Sequence, residues 1–495
     1  MTSTVKFYEA DFPATLYPLR TNLLLVQNHA AELSEYIYQR VLNGNCEADK
    51  FLSQQTVYAT KPRGHLRRTV KLDPVAEYFI YDVTYRNKAI FRPEVSGTRR
   101  SFGYRFKDGS RIPVHVAYSE YKNHLRDCAK KFKHNIQCDI ASYFNSLYHH
   151  DIAHWFAAME NITDVDSEAV SQFFREINSG RSIDFMPHGI YPTKMIGNEF
   201  LKVVDLYGQL KSAQIVRFMD DFTLFDDDPS IVQSDFVKIQ QLIGQFALNV
   251  NPSKTAFDNS AGDVKEALSQ IRQSLKDIIT EYEEVPTASG VEQIETDVEV
   301  EKHLDGDQVE ALLALLKDEA LEESDADLIL GFLRSHSDSL LEQLPILLSK
   351  FPNLIKHIHT VCAGITDKEG LVSVILKFLN EQSDLLEYQL FWIGSIVEDY
   401  LLGVGDYGAV LIRLFELTVE HKIARAKVLE IPEQGFGLKE IRSEYLKTGQ
   451  SDWLSWSSAA GTRSLKAGER NYVLKYFSNA SQMNFLVASC MRKFA

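Results

Sequence analysis

Cationic excess, paired cysteines and long apolar runs are all missing from this chain, and each absence removes a class of protein. Lys and Arg number 53 against 68 Asp and Glu, a formal net charge of -15. A surface of that balance cannot grip nucleic acid everywhere, because phosphate binding draws on Lys and Arg. A local basic cleft remains compatible with it, so charge has to be read by position. The five cysteines (Cys46, Cys128, Cys138, Cys362, Cys490) are dispersed, with no CxxC pair. They read as reduced intracellular thiols, neither a disulfide framework nor a zinc site. No apolar run approaches the ~20 residues of a membrane helix, and the opening MTSTVKFYEADFP lacks the basic-then-apolar order of a signal peptide. The expectation is a cytoplasmic protein with no membrane partner. Hydrophobic residues at 45% and charged residues at 24% are those of an ordinary globular chain, and 495 residues exceed what one core usually covers.

What is present changes character near residue 258. Before it, AEYFIYDVTY, VHVAYSEY, HNIQCDI and QIVRFMDDFTLF read as strands among amphipathic helices, an α+β pattern. After it, DQVEALLALLKDE, DADLILGFLRSH, SLLEQLPILLSKF, EGLVSVILKFLNE and YGAVLIRLFELTVEH place apolar residues three and four apart. Breaks such as SDAD, FPN and GVGDYG separate them. Helices at such intervals predict stacked hairpins, loosely of the HEAT type, although no sequence repeat is visible. The acidic stretch EYEEVPTASGVEQIETDVEVEKHLDGD reads as a solvated linker or insertion.

The chemistry concentrates in two places. In VRFMDDFTLF, apolar residues flank Asp220 and Asp221, which predicts a β-hairpin with two carboxylates at its tip. Adjacent acids in apolar surroundings are costly unless a cation or solvent takes the charge. By itself the pair could be a plain acidic turn. In NIQCDIASYFNSLYHHDIAHWF a strand ends at Asp139, and a helix bearing Phe144, Leu147, Ile152 and Phe156 follows. By itself Asp139 could be a helix cap. Together the three carboxylates could converge on two divalent cations ~3.5–4 Å apart, and hard oxygen ligands suit Mg²⁺, or Mn²⁺. The segment KPRGHLRRTVK carries Lys61, Arg63, Arg67, Arg68 and Lys71 without an acid, and Arg99, Arg100 and Arg105 follow. These cations either hold a triphosphate or form a solvated basic face.

The order of these motifs resembles the palm of reverse transcriptases: strand-end Asp139 with Tyr143-Phe144, then MPHGIYPTKMIGNEF, FMDD and LNVNPSKT. The resemblance spans about residues 60 to 258 and includes the finger segment SFGYRF. It implies a fingers-palm domain over 1–258 and, over 259–495, an all-α helical-repeat domain in place of a thumb. It further implies that Asp139, Asp220 and Asp221, with the Ile140 carbonyl, hold metal. Lys254 would lie near the incoming triphosphate as a general acid. Lys71, Arg67, Arg105, His188 and Gly189 would bind the nucleotide, and Phe144 would exclude a 2′-hydroxyl.

His188 stands where many members of that family carry Gln, and Lys194-Met195 where retrons and group II intron enzymes show Ser-Pro. No basic thumb follows Lys254. A fingers-palm core followed by helical repeats resembles the abortive-infection reverse transcriptases of bacterial phage defence. That resemblance implies protein-primed, template-independent DNA synthesis from dNTPs, with the new single strand attached to a tyrosine. It also implies closed homo-oligomers, trimers or hexamers. Tyr8, in a polar N-terminal stretch, is the first candidate primer among 22 tyrosines; Tyr36 and Tyr38 follow. Two other readings stay open: a templated, retron-like enzyme with a partner RNA, and a catalytically dead scaffold.

Overall fold

The computed structural model describes residues 3–257, apart from 45–47, 92–94, 108 and 180–184, and residues 304–494, apart from 305, 319, 320, 322 and 383. The expected junction at 258 and nearly all of the acidic stretch lie outside the described residues. Among the described residues helix prevails, and the strands form three small sheets. β1 (Gln55–Thr60) and β2 (Leu66–Lys71) make an antiparallel hairpin. β3 (Arg99–Phe102) is followed by a two-residue pair, β4 (Phe106–Lys107) and β5 (Ser110–Arg111). β6 (His134–Asp139), β7 (Gln214–Phe218), β8 (Asp221–Asp226) and β9 (Ala256–Phe257) join β3 in a five-stranded sheet of order β3-β7-β8-β6-β9. Only β3 and β7 run parallel. The helices Val114–Lys131 and Pro229–Gly244 pack on this sheet, so β7 and β8 are buried along nearly their whole length.

Two segments expected as strands are helices. AEYFIYDVTY lies within the helix Pro74–Arg86, and VHVAYSEY opens the helix Val114–Lys131. The first begins where the Asp73 carboxylate accepts from the backbone N–H groups of Val75 and Ala76, at 2.9 and 3.1 Å, with Pro74 in the first turn. All residues from Pro74 to Thr84 are buried, so helical periodicity is erased and the aromatic content misleads. In the second, the buried positions are Ala117, Tyr118, Tyr121, Leu125 and Cys128. That three-and-four spacing is invisible within eight residues.

The C-terminal half is helical throughout its described residues, and the expected segments fall in Gly306–Leu315, Glu323–Phe332, Leu344–Lys350, Lys368–Glu381 and Tyr407–Leu417. Helices here pack on the next but one. Ile355–Gly364 meets Glu387–Ile396, which meets Lys422–Glu430, then Trp453–Gly461, then Gln482–Arg492. Lys368–Glu381 meets Tyr407–Leu417 in the same manner. This is a two-row stack in which each unit buries its apolar stripe against its neighbour.

The stack is bonded to the beginning of the chain. The helix Arg20–Tyr36 packs on Lys422–Glu430, Trp453–Gly461 and Gln482–Arg492, and Glu387–Ile396 packs on β1. Leu19 precedes Arg20–Tyr36 and offers no side-chain cap. The Glu430 carboxylate does so instead, accepting from the N–H groups of Arg20 and Thr21, both at 2.8 Å. An anion there satisfies orphan donors and the positive helix end together. Lys427 balances it at 3.1 Å and also pairs with Glu398, which Arg463 holds at 2.6 Å. Among the described residues no helix is long and apolar enough to cross a membrane.

Candidate metal centre

The site forms where β6 ends beside the β7–β8 hairpin. The register pairs Asp139 with Asp221 and Phe218 with Asp221, which leaves Met219 and Asp220 as the connecting turn. Asp139 and Asp220 are both buried, and their charges act on each other. Burial is the main cause that pushes the Asp220 carboxyl up to about 6; Asp139 adds to it, while Lys254 and Arg67 oppose it. Asp221 stands across the ladder from Asp139, and its charge falls on Tyr118, Tyr121 and Cys138.

Lys254 reaches Asp139 because the backbone brings it there. The Asn251 N–H donates to the Asp139 carbonyl at 2.8 Å, and the Asn251 side chain accepts from the Ser253 N–H at 3.1 Å. These bonds start the short turn Pro252–Lys254, whose ammonium lies 3.0 Å from Asp139 Oδ2. The other oxygen, Asp139 Oδ1, is buried without a hydrogen-bond partner. Leaving a buried anionic oxygen unmatched is costly, and a cation would satisfy it. The Ile140–Val250 bridge is carried by Ala141 N–H to Asn249 O and Asn251 N–H to Asp139 O, both 2.8 Å, so the Ile140 carbonyl stands outside it.

Among the described residues no three His, Cys, Asp or Glu side chains form a ready-made metal cage. Two carboxylates are nevertheless a fitting donor set for Mg²⁺, which keeps waters and takes further oxygens from substrate phosphates. Cations line the same place. Lys61, between β1 and β2, senses Arg67, Lys254, Asp220 and Asp139; burial first, then the two cations, draw its ammonium down to about 8. Arg67 Nη1 lies 3.0 Å from His188 Nε2, and Thr69 donates to the His188 carbonyl at 3.0 Å. An arginine can only donate, so His188 Nε2 accepts. The His188 ring lies 4.7 Å from that of Phe144, centroid to centroid. Gly189 follows at φ +95, and a Cβ there would meet Leu16 Cγ at 2.5 Å.

Asp139, Asp220, Lys254 and Arg67 therefore act on one another, and His188 adjoins them through Arg67, with Phe144 against its ring and Gly189 next in the chain. Three expected residues do not join them. Lys71 points inward to Glu77 at 2.6 Å, both being buried, and its charge is consumed there. Arg105 donates to the Ser101 carbonyl at 2.9 Å and lies 3.4 Å from Glu120. Tyr8 is fully buried and donates to Glu77 at 2.9 Å, so its hydroxyl is neither free nor slack. The polar stretch around it misled because Phe7 and Tyr8 face Tyr81, on the helix Pro74–Arg86. Tyr36 and Tyr38 donate to Asp49 and Asp82, at 3.3 and 2.7 Å. Among the aromatic residues of the C-terminal helices, Tyr388, Trp453 and Trp456 are core, and Tyr407 donates to Glu433 at 2.6 Å. Arg217 escaped the sequence reading, although a lone cation inside an apolar strand was a visible signal.

These features define a buried two-carboxylate centre ringed by cations, suited to a divalent ion and an anionic ligand. No protein-family model matches the chain, and no curated protein matches it. Among solved structures it is similar to apo telomerase from Candida tropicalis, with 11% identity over 79% of this chain and 72% of that one, at a TM-score of 0.34. It is also similar to telomerase from Candida albicans in complex with a TWJ fragment of telomeric RNA, with 13% identity over 74% and 62% of the two chains, at a TM-score of 0.27. Likenesses this loose carry no weight for the function of this chain.

Proposed function

We propose that this chain is a DNA polymerase of the reverse-transcriptase type, serving phage defence by abortive infection. It makes DNA from dNTPs without template, priming on its own polypeptide, and works as a closed homo-oligomer. The observation that carries the polymerase reading is the pairing of buried Asp139 and Asp220, with Asp139 Oδ1 unmatched, under Lys61, Arg67 and Lys254. A divalent cation bound to these carboxylates would acidify the attacking hydroxyl and offset charge on the leaving pyrophosphate. The protein's own share is orientation and charge. Lys61 and Arg67 suit the triphosphate; Lys254, which lies on Asp139, would hand a proton to pyrophosphate. Phe144, braced by His188, fits a floor beneath the sugar.

Burial of Tyr8 favours a second reading, a templated enzyme using a partner RNA and an external primer. The deciding experiment incubates the purified full chain with Mg²⁺ and labelled dNTPs, without primer or template, and runs a denaturing gel. Label that stays with the polypeptide, vanishes on nuclease treatment and is missing from Asp220→Asn is the expected result. Label appearing only after primer and template are added would overturn protein priming and support the second reading. Incorporation by Asp220→Asn at the wild-type rate would overturn both.

A further inference from the structure

Arg217 is the largest charged group sealed in the five-stranded sheet, fully buried within β7, two residues before the turn that carries Asp220. Its guanidinium is spent on three partners. Nη2 donates to Asp205 Oδ2 at 2.6 Å, and Nε lies 3.4 Å from Oδ1 of the same carboxylate. Nη1 donates to the Asn198 carbonyl at 2.9 Å and to its side-chain oxygen at 3.1 Å. Nη1 also donates to the carbonyl of Met219 at 3.0 Å. Asn198 belongs to the helix Tyr191–Phe200, so this one side chain ties that helix to the hairpin.

Met219 makes the third contact notable. Its φ is +55, a region that costs a non-glycine residue energy unless its surroundings hold it. Its side chain is buried and its carbonyl is held by Arg217. The next residue is Asp220. A buried Arg–Asp pair is a costly way to gain stability, because apolar residues of like volume often do as well.

We propose that Arg217 is a positioning residue for Asp220: by clamping the Met219 carbonyl it holds the strained turn that presents the Asp220 carboxylate to Asp139. The proposal rests on reading Asp139 and Asp220 as cation ligands. Partners that orient metal ligands typically change affinity by about 10–100-fold when removed.

The test is direct binding of Mn²⁺ to the full chain, read from the electron paramagnetic resonance of the free ion, with thermal unfolding as the control for folding. Wild type is compared with Asp220→Asn, with the double variant Arg217→Met/Asp205→Asn, which removes the buried pair without orphaning a charge, and with Arg217→Lys. Asp220→Asn loses binding, and the folded double variant binds about tenfold more weakly. Should the double variant not fold, Arg217→Lys decides, since an ammonium cannot serve Asp205 and Met219 in the same geometry. Adding Met219→Gly to Arg217→Lys restores affinity, because glycine adopts positive φ without a clamp. Wild-type affinity in a folded Arg217 variant overturns the positioning role alone. Equal Mn²⁺ binding by wild type and Asp220→Asn overturns the cation reading and this proposal with it.

Discussion

Two buried carboxylates facing each other cost stability, and the cost has a measurable sign. Burial and the charge of Asp139 push the Asp220 carboxyl up to about 6. A raised carboxyl favours the native state while protonated, so this contribution is present at low pH and lost as pH rises through about 6. Asp220→Asn should therefore raise the unfolding temperature of the metal-free protein above pH 7, by no more than about 3 kcal/mol of stability, with the gain fading below pH 6. A pH-independent effect in calorimetry would contradict it. Tyr8→Phe removes one buried hydrogen bond to Glu77 and should cost about 1 kcal/mol; label attached to the polypeptide should persist in this variant. Under the proposed function, Phe144 excludes ribonucleotides, and Phe144→Ala should shift the ratio of rate constants for ribo- and deoxynucleotides by about tenfold or more.

At the scale of elements, the turns do the positioning. The turn Pro252–Lys254 exists because Asn251 bonds both backward to Asp139 and forward to Ser253. The loop at Gly189 passes so close to Leu16 that a methyl group cannot be added without displacement. Gly189→Ala should destabilise by about 1–3 kcal/mol from backbone strain alone, more with the clash, as read by denaturant unfolding. The helix Arg20–Tyr36 depends on a carboxylate far away in the chain. Glu430→Gln keeps shape but removes one of the two carboxylates on buried Lys427, which retains Glu398; weakening the charge-assisted bonds to the Arg20 and Thr21 N–H groups should cost about 1–3 kcal/mol in denaturant unfolding.

Over the whole molecule, the helical stack and the sheet-bearing half share a core. Tyr17 packs on Tyr388 and Phe391, with ring centroids 5.6 and 5.0 Å apart, and donates to the Tyr58 carbonyl of β1 at 2.7 Å. Arg20 reaches Asp399 at 2.8 Å, and His359 holds the same carboxylate at 3.0 Å. Residues 1–257 alone should therefore fail to show a cooperative unfolding transition, because the helix Arg20–Tyr36 would lose its cap and its apolar cover together. A sharp transition for that fragment would show the halves to be independent.

Some of this was legible in residue order. Asp139 and Asp220 stood out as carboxylates in apolar, strand-like settings, although each alone could have been a cap or an acidic turn, and Lys254 was named only by the resemblance of LNVNPSKT to a reverse-transcriptase motif. The long amphipathic helices were legible because a single buried stripe leaves a three-and-four signature, as in Lys368–Glu381. The helix Pro74–Arg86 was not legible, since burial on every side removes that signature. Nor were the fates of Lys71, Arg105 and Tyr8, whose partners Glu77 and Glu120 are acids that any reading of local charge would pass over. Sequence alone determined the candidates for the chemistry, Asp139, Asp220 and Asp221 first among them, because ionisable groups in apolar runs need a reason to be there. Only the tertiary structure decided which cations remain at the centre and which are neutralised in the core, because that depends on how the elements pack, as when β2 meets the helix Pro74–Arg86 and Lys71 turns inward to Glu77 while Lys254 reaches Asp139.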